Sequence, residues 1–275
     1  MLRRYKGVVL ILLLPEMCSS AAVEVEVGES KLQLPEPDGF VEVTALHAPA
    51  REIAQAITPP NNRLLAIYLH QSDLEAINTG KKASWNRYMM VQIDRQTEPF
   101  EISGTDFVEF RTILKTQQEI LLDHVRDQVD EYFEAINTGI DPHSKLKVGY
   151  LLPIGIFADE NQRLASESLS KYRQGNKKGD DSFLVIGATN VLHIGKHVVF
   201  AYVYSHYEDE KDRQWVKLTS DQWSADILRA NPTSFSLLGR LQQIEWRQFA
   251  AFGLLSLFIA AVIGVYLSFR RRRSE

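Results

Sequence analysis

Residues 249–269, bounded by Phe249 and Phe269, form 21 positions without a charge, Gln, Asn or Pro, and are closed by Arg270, Arg271, Arg272 and Arg273. A helix needs about 20 apolar residues to cross the roughly 30 Å of hydrocarbon in a bilayer. Each central Leu, Ile, Phe or Val favours insertion by about 0.3 to 0.6 kcal/mol, and no residue imposes the roughly 2.5 to 3.5 kcal/mol penalty of a central charge. The competing reading is a buried core helix, which is usually shorter and is not followed by four arginines. The run predicts one transmembrane helix embedded in the lipid bilayer, and the rest of the chain must be arranged around it.

At the other end, Arg3, Arg4 and Lys6 precede the apolar residues 8–14, then Pro15 and the small residues Ser19, Ser20, Ala21 and Ala22. That order is a secretory signal peptide over residues 1–22, with cleavage near Ala22. Seven apolar residues are too few for a second span. Pro15, Glu16 and Met17 before Cys18 do not make a lipidation motif. The two ends agree on a single-pass type I topology. Residues 23–230 form an exported soluble domain, 231–248 a tether, 249–269 the span and 270–275 a cytoplasmic basic tail, held by the positive-inside rule. The expected location is the inner, plasma membrane of a bacterial cell, with the N-terminal domain on the periplasmic side. The stretch before the span contains neither an LPxTG nor a PEP sorting sequence, so the anchor is read as permanent.

Cys18 is the only cysteine and leaves with the signal peptide. Disulfides, cysteine nucleophiles and thiolate metal sites are thereby excluded from the mature chain. With the basic residues of the signal and anchor set aside, along with Glu16 and Glu275, 23 basic residues face 33 acidic ones, a net charge of −10. Such a surface repels phosphate backbones, so no nucleic-acid partner is expected.

Along the exported part, residues 23–31 alternate Val and Glu; they read as a charged leader, with a short one-sided strand as the alternative. A turn through Pro35, Pro37, Asp38 and Gly39 leads to a strand over 40–45, and Pro49 opens a short helix that stops before Pro59. Residues 64–69 are almost continuously apolar, as in a strand buried on both faces. Ser72 caps a helix that Gly80 ends. A second core strand covers 87–94. Phe107, Phe110, Leu114, Leu121, Val125, Val129, Tyr132 and Ile136 recur at helical spacing, predicting a helix of about 30 residues and 45 Å. Residues 134–139 repeat residues 75–80 letter for letter, and both copies fall at predicted helix stops.

Residues 147–157 read as a strand whose Pro153 argues for an edge or a bulge, and 164–172 as a more polar strand. Residues 183–194 and 197–207 form a hairpin around Gly195 and Lys196, with a type II′ turn expected from the leading Gly. A last helix is capped by Thr219 or Ser220 and stopped by Asn231 and Pro232. The fold class is therefore α+β, an antiparallel or mixed sheet packed with helices. In element order the domain resembles the Mog1/PsbP-like sandwich, and the resemblance implies helices covering a central antiparallel sheet.

For chemistry, His193 and His197 are the only histidines close enough in sequence to suggest a metal site. A two-residue turn at 195–196 pairs His193 with Val198 and puts the two rings on opposite faces; a three-residue loop would put them on one. Residues 207–212 lack the ligand spacing of a calcium loop and read as a solvated turn. There is no GxSxG, HExxH or Gly-rich phosphate loop. Phe200, Tyr202 and Tyr204 line one strand face, as core under a helix or as an exposed binding platform. No catalytic, cofactor-binding or metal-ligating residue is assigned, and no cofactor is expected. The first reading is a non-catalytic interaction or assembly module with an envelope protein partner; the alternative is an envelope hydrolase with a site built from separated residues.

Ser256, Ala260, Gly264 and Ser268 recur every four residues and form a stripe of small side chains along the span, suited to close helix pairing in a homo-oligomer. Gly264→Ile fills that stripe and is expected to abolish self-association of the isolated span in a membrane dimerisation assay. Leu257→Ile, off the stripe, should leave it intact; equal association of both variants with the parent would remove the stripe's role.

Overall fold

The computed structural model describes residues 22–45, 47–81, 83–137, 151–173 and 182–232. Among the described residues, nine strands and four helices follow in the order β1 (Ala22–Val27), β2 (Ser30–Pro35), β3 (Phe40–Glu42), α1 (Ala48–Ile57), β4 (Asn62–His70), α2 (Gln71–Asn78), β5 (Arg87–Asp94), α3 (Gly104–Asn137), β6 (Leu151–Glu160), β7 (Arg163–Arg173), β8 (Ser182–Ile194), β9 (His197–His206) and α4 (Glu210–Ala230). Seven strands make one sheet in the order β3-β4-β5-β9-β8-β7-β6, and β1 and β2 form a separate pair. Every described strand pairing is antiparallel. The fold is α+β, as the mixture of apolar alternation and helical spacing implies.

Alternation along the strands divides the core into two halves. Ala66, Met89, Val91, Leu192, Val199, Ala201 and Val203 face the β1–β2 pair and α4, whose Val27, Leu32, Leu34, Trp223 and Ile227 complete that half. Ile67, Tyr88, Met90, Val198, Phe200 and Tyr202 face α1 and α3, with Leu74 and Ile77 of α2 at the margin. The sheet thus lies between two cover layers, and its central strands are buried on both faces. β6 is an edge strand, and its register shifts on either side of Gly155 next to Pro153, so the proline marks both an edge and a bulge.

The structure corrects four local expectations. Residues 23–31 are not a leader: β1 and β2 form a hairpin, with Glu24 and Glu26 outward and Val23 and Val25 packed against the core. The short strand was concealed because its polar face carries only glutamates. His70, rather than Ser72, caps α2, its ring accepting from the Ser72 backbone N–H. Gly195 and Lys196 both have positive φ, at 51° and 66°, so the β8–β9 turn is type I′, not type II′. Finally, α4 begins at Glu210, about ten residues before the expected cap. Asp209 is the N-cap, and Asp209 and Asp212 form a reciprocal capping box within the stretch read as a solvated turn.

Several elements match their sequence signals. Gly80 has φ +71° after α2, where the first copy of the repeated hexapeptide places Asn78 as the last helical residue, as expected; the stop expected at the second copy lies outside the described residues, which run to Asn137 there. Among the described residues no helix is long and apolar enough to cross a membrane; residues 1–21 and 233–275, which carry the expected signal peptide short of Ala22, the expected tether beyond Pro232, and the expected span and basic tail, lie outside them.

A polar cluster is buried beneath α4. Asn190 is fully buried, its Oδ1 accepting from Arg163 Nε at 2.9 Å and Ser220 Oγ at 3.0 Å, while its Nδ2 donates to the Ala201 carbonyl at 3.2 Å. Buried polar groups are stable only with their partners present. Asn190→Ala is expected to destabilise the domain by about 2 to 4 kcal/mol in urea denaturation, since it leaves Arg163 and Ser220 without their shared acceptor. Adding Ser220→Ala should cost less than the sum of the two single changes, because they share one network.

Candidate functional site

The two histidines close enough in sequence to suggest a metal site are separated by the sheet. His193 pairs with Val198 and His197 with Ile194. The two-residue turn therefore sends the rings to opposite faces. His193 stacks on Phe107 of α3 with centroids 5.1 Å apart, and its Nε2 donates to the Ile102 carbonyl at 2.7 Å. His197 lies under the β1–β2 turn, where a Cβ on Gly28 would come within 3.0 Å of its ring. Among the described residues no group of three or more His, Cys, Asp and Glu is placed to hold a metal ion.

Phe200, Tyr202 and Tyr204 are buried at 2%, 1% and 8% exposure, which makes the aromatic stripe core and not a platform. Gly187 opposes Tyr204, and a Cβ there would meet its ring at 2.9 Å, so the ring lies directly on the backbone of β8.

Polar groups join α4 to the sheet beneath it. Glu167 on β7 is 2% exposed and accepts from Arg213 Nε of α4 at 2.9 Å. Burial pushes its carboxyl above the usual range, and Arg213 pulls it back in part. Burial likewise pushes the Tyr207 phenol up to about 12. Beside these groups, a hollow of about 360 Å³ is lined by Phe157, Ala158, Glu160, Arg163, Asp221, Ala225 and Leu228. Its Phe157 ring lies 5.7 Å from the Arg163 guanidinium carbon and 5.4 Å from Lys217 Nζ. Arg163 is engaged by Asp221 and Asn190. A charge so held ties α4 to the sheet.

The larger concavity lies on the other flank of α4. A trough of about 630 Å³ runs between the helix and the segment joining β2 to β3. Pro35, Glu36, Pro37, Asp38 and Phe40 form one wall; Trp215, Thr219, Gln222, Trp223, Asp226, Arg229 and Ala230 form the other. The helical wall recurs at threes, fours and ones, so it is a single face of α4. Two contacts fix the walls relative to each other. Trp223 Nε1 donates to the Pro35 carbonyl at 2.9 Å, and the Asn231 side chain bonds the backbone N–H and carbonyl of Gln33 at 2.8 and 2.6 Å. At the far end Phe40 lies 6.0 Å from Trp215, and the Arg87 guanidinium sits 4.2 Å from the Trp215 ring centroid while pairing with Asp212.

This trough was missed in the sequence because Trp215 was placed beyond the hairpin and outside any helix. The sequence signal that reveals it is the Asp209 to Asp212 spacing, which starts α4 early enough to bring Trp215, Thr219 and Trp223 onto one face. His47, His70, His193, His197 and His206 are the histidines whose side chains are described, and none lines either concavity.

No protein-family model matches the chain, and no curated protein matches its sequence. Among solved structures, the chain is similar to the Saccharomyces cerevisiae Ran-binding protein Mog1p, at 14% identity, covering 77% of this chain and 95% of that one with a TM-score of 0.33. It is similarly placed against a point mutant of protein Mog1, at 14% identity, 76% and 94% coverage and a TM-score of 0.33. An overlap of that size defines neither ligand nor partner for this chain.

Burial lowers the pKa values of His193, His197 and His206 below the ordinary 6.5. As pH falls through 6.5, the unfolded chain takes up protons that the folded one refuses, so stability present above that pH is lost on acidification toward the folded pKa. Neither ring nitrogen of His197 has a hydrogen-bond partner among the described residues. An NMR titration should show the His197 imidazole protonating below 6.5, and His197→Gln should flatten the fall in stability as pH drops below 6.5. A His197 titration at or above 6.5 contradicts this placement.

Proposed function

We propose that the chain is a single-pass, membrane-anchored binding module of a bacterial envelope, with its α+β domain held on the periplasmic side to engage another envelope protein without catalysing a reaction. The observation that carries the reading is the trough beside α4: an aromatic-lined surface concavity built on a rigid helix, with no proton-transfer pair converging on it. The arrangement of α4 on one sheet face and α1 to α3 on the other supports reading the domain as a Mog1/PsbP-like sandwich. The signal peptide of residues 1–22, the span of 249–269 and the arginines after it support the membrane placement. Pairing of spans through Ser256, Ala260, Gly264 and Ser268 would present two such surfaces side by side.

Two measurements test the two halves of this reading. A reporter active only outside the cytoplasm should work when fused after Gly239; activity only when it is fused after Glu275 reverses the topology. Photo-crosslinking in native membranes, from single positions distributed over the domain surface, should trap a discrete protein partner. If no surface position traps one, the module reading fails.

A further inference from the structure

We propose that the trough between α4 and the β2–β3 segment takes an extended stretch of a partner protein that carries lysine or arginine beside apolar residues. The inference rests on the binding-module reading and specifies the partner's chemistry. Three features of the trough select that chemistry.

The first is shape. Along α4 the lining runs from Trp215 to Ala230, about 22 Å at 1.5 Å per residue. That length matches six or seven residues of extended chain at about 3.3 Å each. The second is the character of the walls. Pro35 and Pro37 have no backbone N–H, and the Gln33 backbone before them is already bonded to Asn231. The segment therefore cannot add the incoming chain as a strand, and recognition falls to side chains. Phe40 and Trp223 are buried at 5% and 1% exposure and form an apolar floor, while the half-buried Trp215 stands at one end. Leu218, one turn along the helix from Trp215, is 70% exposed.

The third feature is charge. Glu36, Asp38 and Asp226 line the trough against one guanidinium, Arg229, which is already paired with Asp226 at 2.6 Å. The rim is therefore net negative within a domain of net charge −10. An acidic concavity with low-dielectric walls concentrates cationic ligands and repels anionic ones. Trp215 carries Arg87 on its ring at 4.2 Å, and Arg87 is balanced by Asp212, so a partner's cation is drawn to the rim carboxylates and its apolar residues to the floor.

The test uses the full-length chain in lipid nanodiscs and, as probe, a phage-displayed library of random dodecapeptides. Selected peptides should be enriched in Lys and Arg beside apolar residues and depleted in Asp and Glu. Synthetic versions should bind several-fold more weakly in 500 mM than in 50 mM salt. The double variant Asp38→Lys with Asp226→Lys alters rim carboxylates alone, and its fold is verified by circular dichroism. It should weaken the selected peptides by about tenfold or more. Failure to select any peptide, selection without basic enrichment, or equal binding to the double variant each overturns the inference. Photo-crosslinks from Leu218 and from sites remote from α4 separate the outcomes. A partner trapped only at remote sites leaves the module reading standing while the trough loses its role.

Discussion

Trp223 holds the two walls of the trough together. Its ring is buried in the half-core on the α4 face, packs edge-on against Tyr68 of β4 with centroids 5.3 Å apart, and donates its indole N–H to the Pro35 carbonyl. Tyr68 in turn donates its hydroxyl to the Leu34 carbonyl at 3.2 Å. One side chain thus joins a helix, the accessory hairpin and the main sheet. Losing a buried indole of this kind costs about 3 to 5 kcal/mol, a large part of a domain's stability. Both walls of the trough, and so its width, follow from this contact and from the Asn231 clasp on Gln33 at the end of α4.

The far flank of the same helix is secured by charge. Arg163 and Glu167 project from β7 toward α4 and meet Asp221 and Arg213 there. Buried ion pairs add little net stability compared with apolar packing, but breaking one strands a charge. They fix where α4 lies along the sheet, whereas the apolar contacts supply the adhesion. On the opposite face, Arg111 and Lys115 of α3 both reach Asp159 of β6, so the edge strand is pinned to its covering helix at a position where it carries a bulge.

Much of the fold was legible because its strands are either continuously apolar or strictly alternating. Residues 87–94 emerged at their observed limits, and the pairing of His193 with Val198 followed from the turn length alone. The β1–β2 hairpin was harder to read: a strand whose outward face is all Glu looks the same as a solvated leader until the hairpin's apolar face is seen to meet α4. The start of α4 was obscured for a related reason, since Asp209, Glu210 and Asp212 are equally at home in a loop. Their role as a cap appears only once Trp215, Thr219 and Trp223 are counted as one helical face. The trough combines residues nearly 200 positions apart, and no local spacing connects Pro35 with Trp223. The membrane readings rest on composition and charge order at the chain ends, independently of the packing described here.

The central physical claim is that α4 is a rigid part of the domain, locked to the sheet through Trp223, so that the trough is preformed. Native-state hydrogen exchange on the full-length chain in nanodiscs tests it directly. Amides in residues 216–228 should be protected to the same extent as those of β8 and β9 and should open with them in one cooperative unit. Exchange of α4 by a separate, low-energy opening while the sheet stays protected would contradict the account.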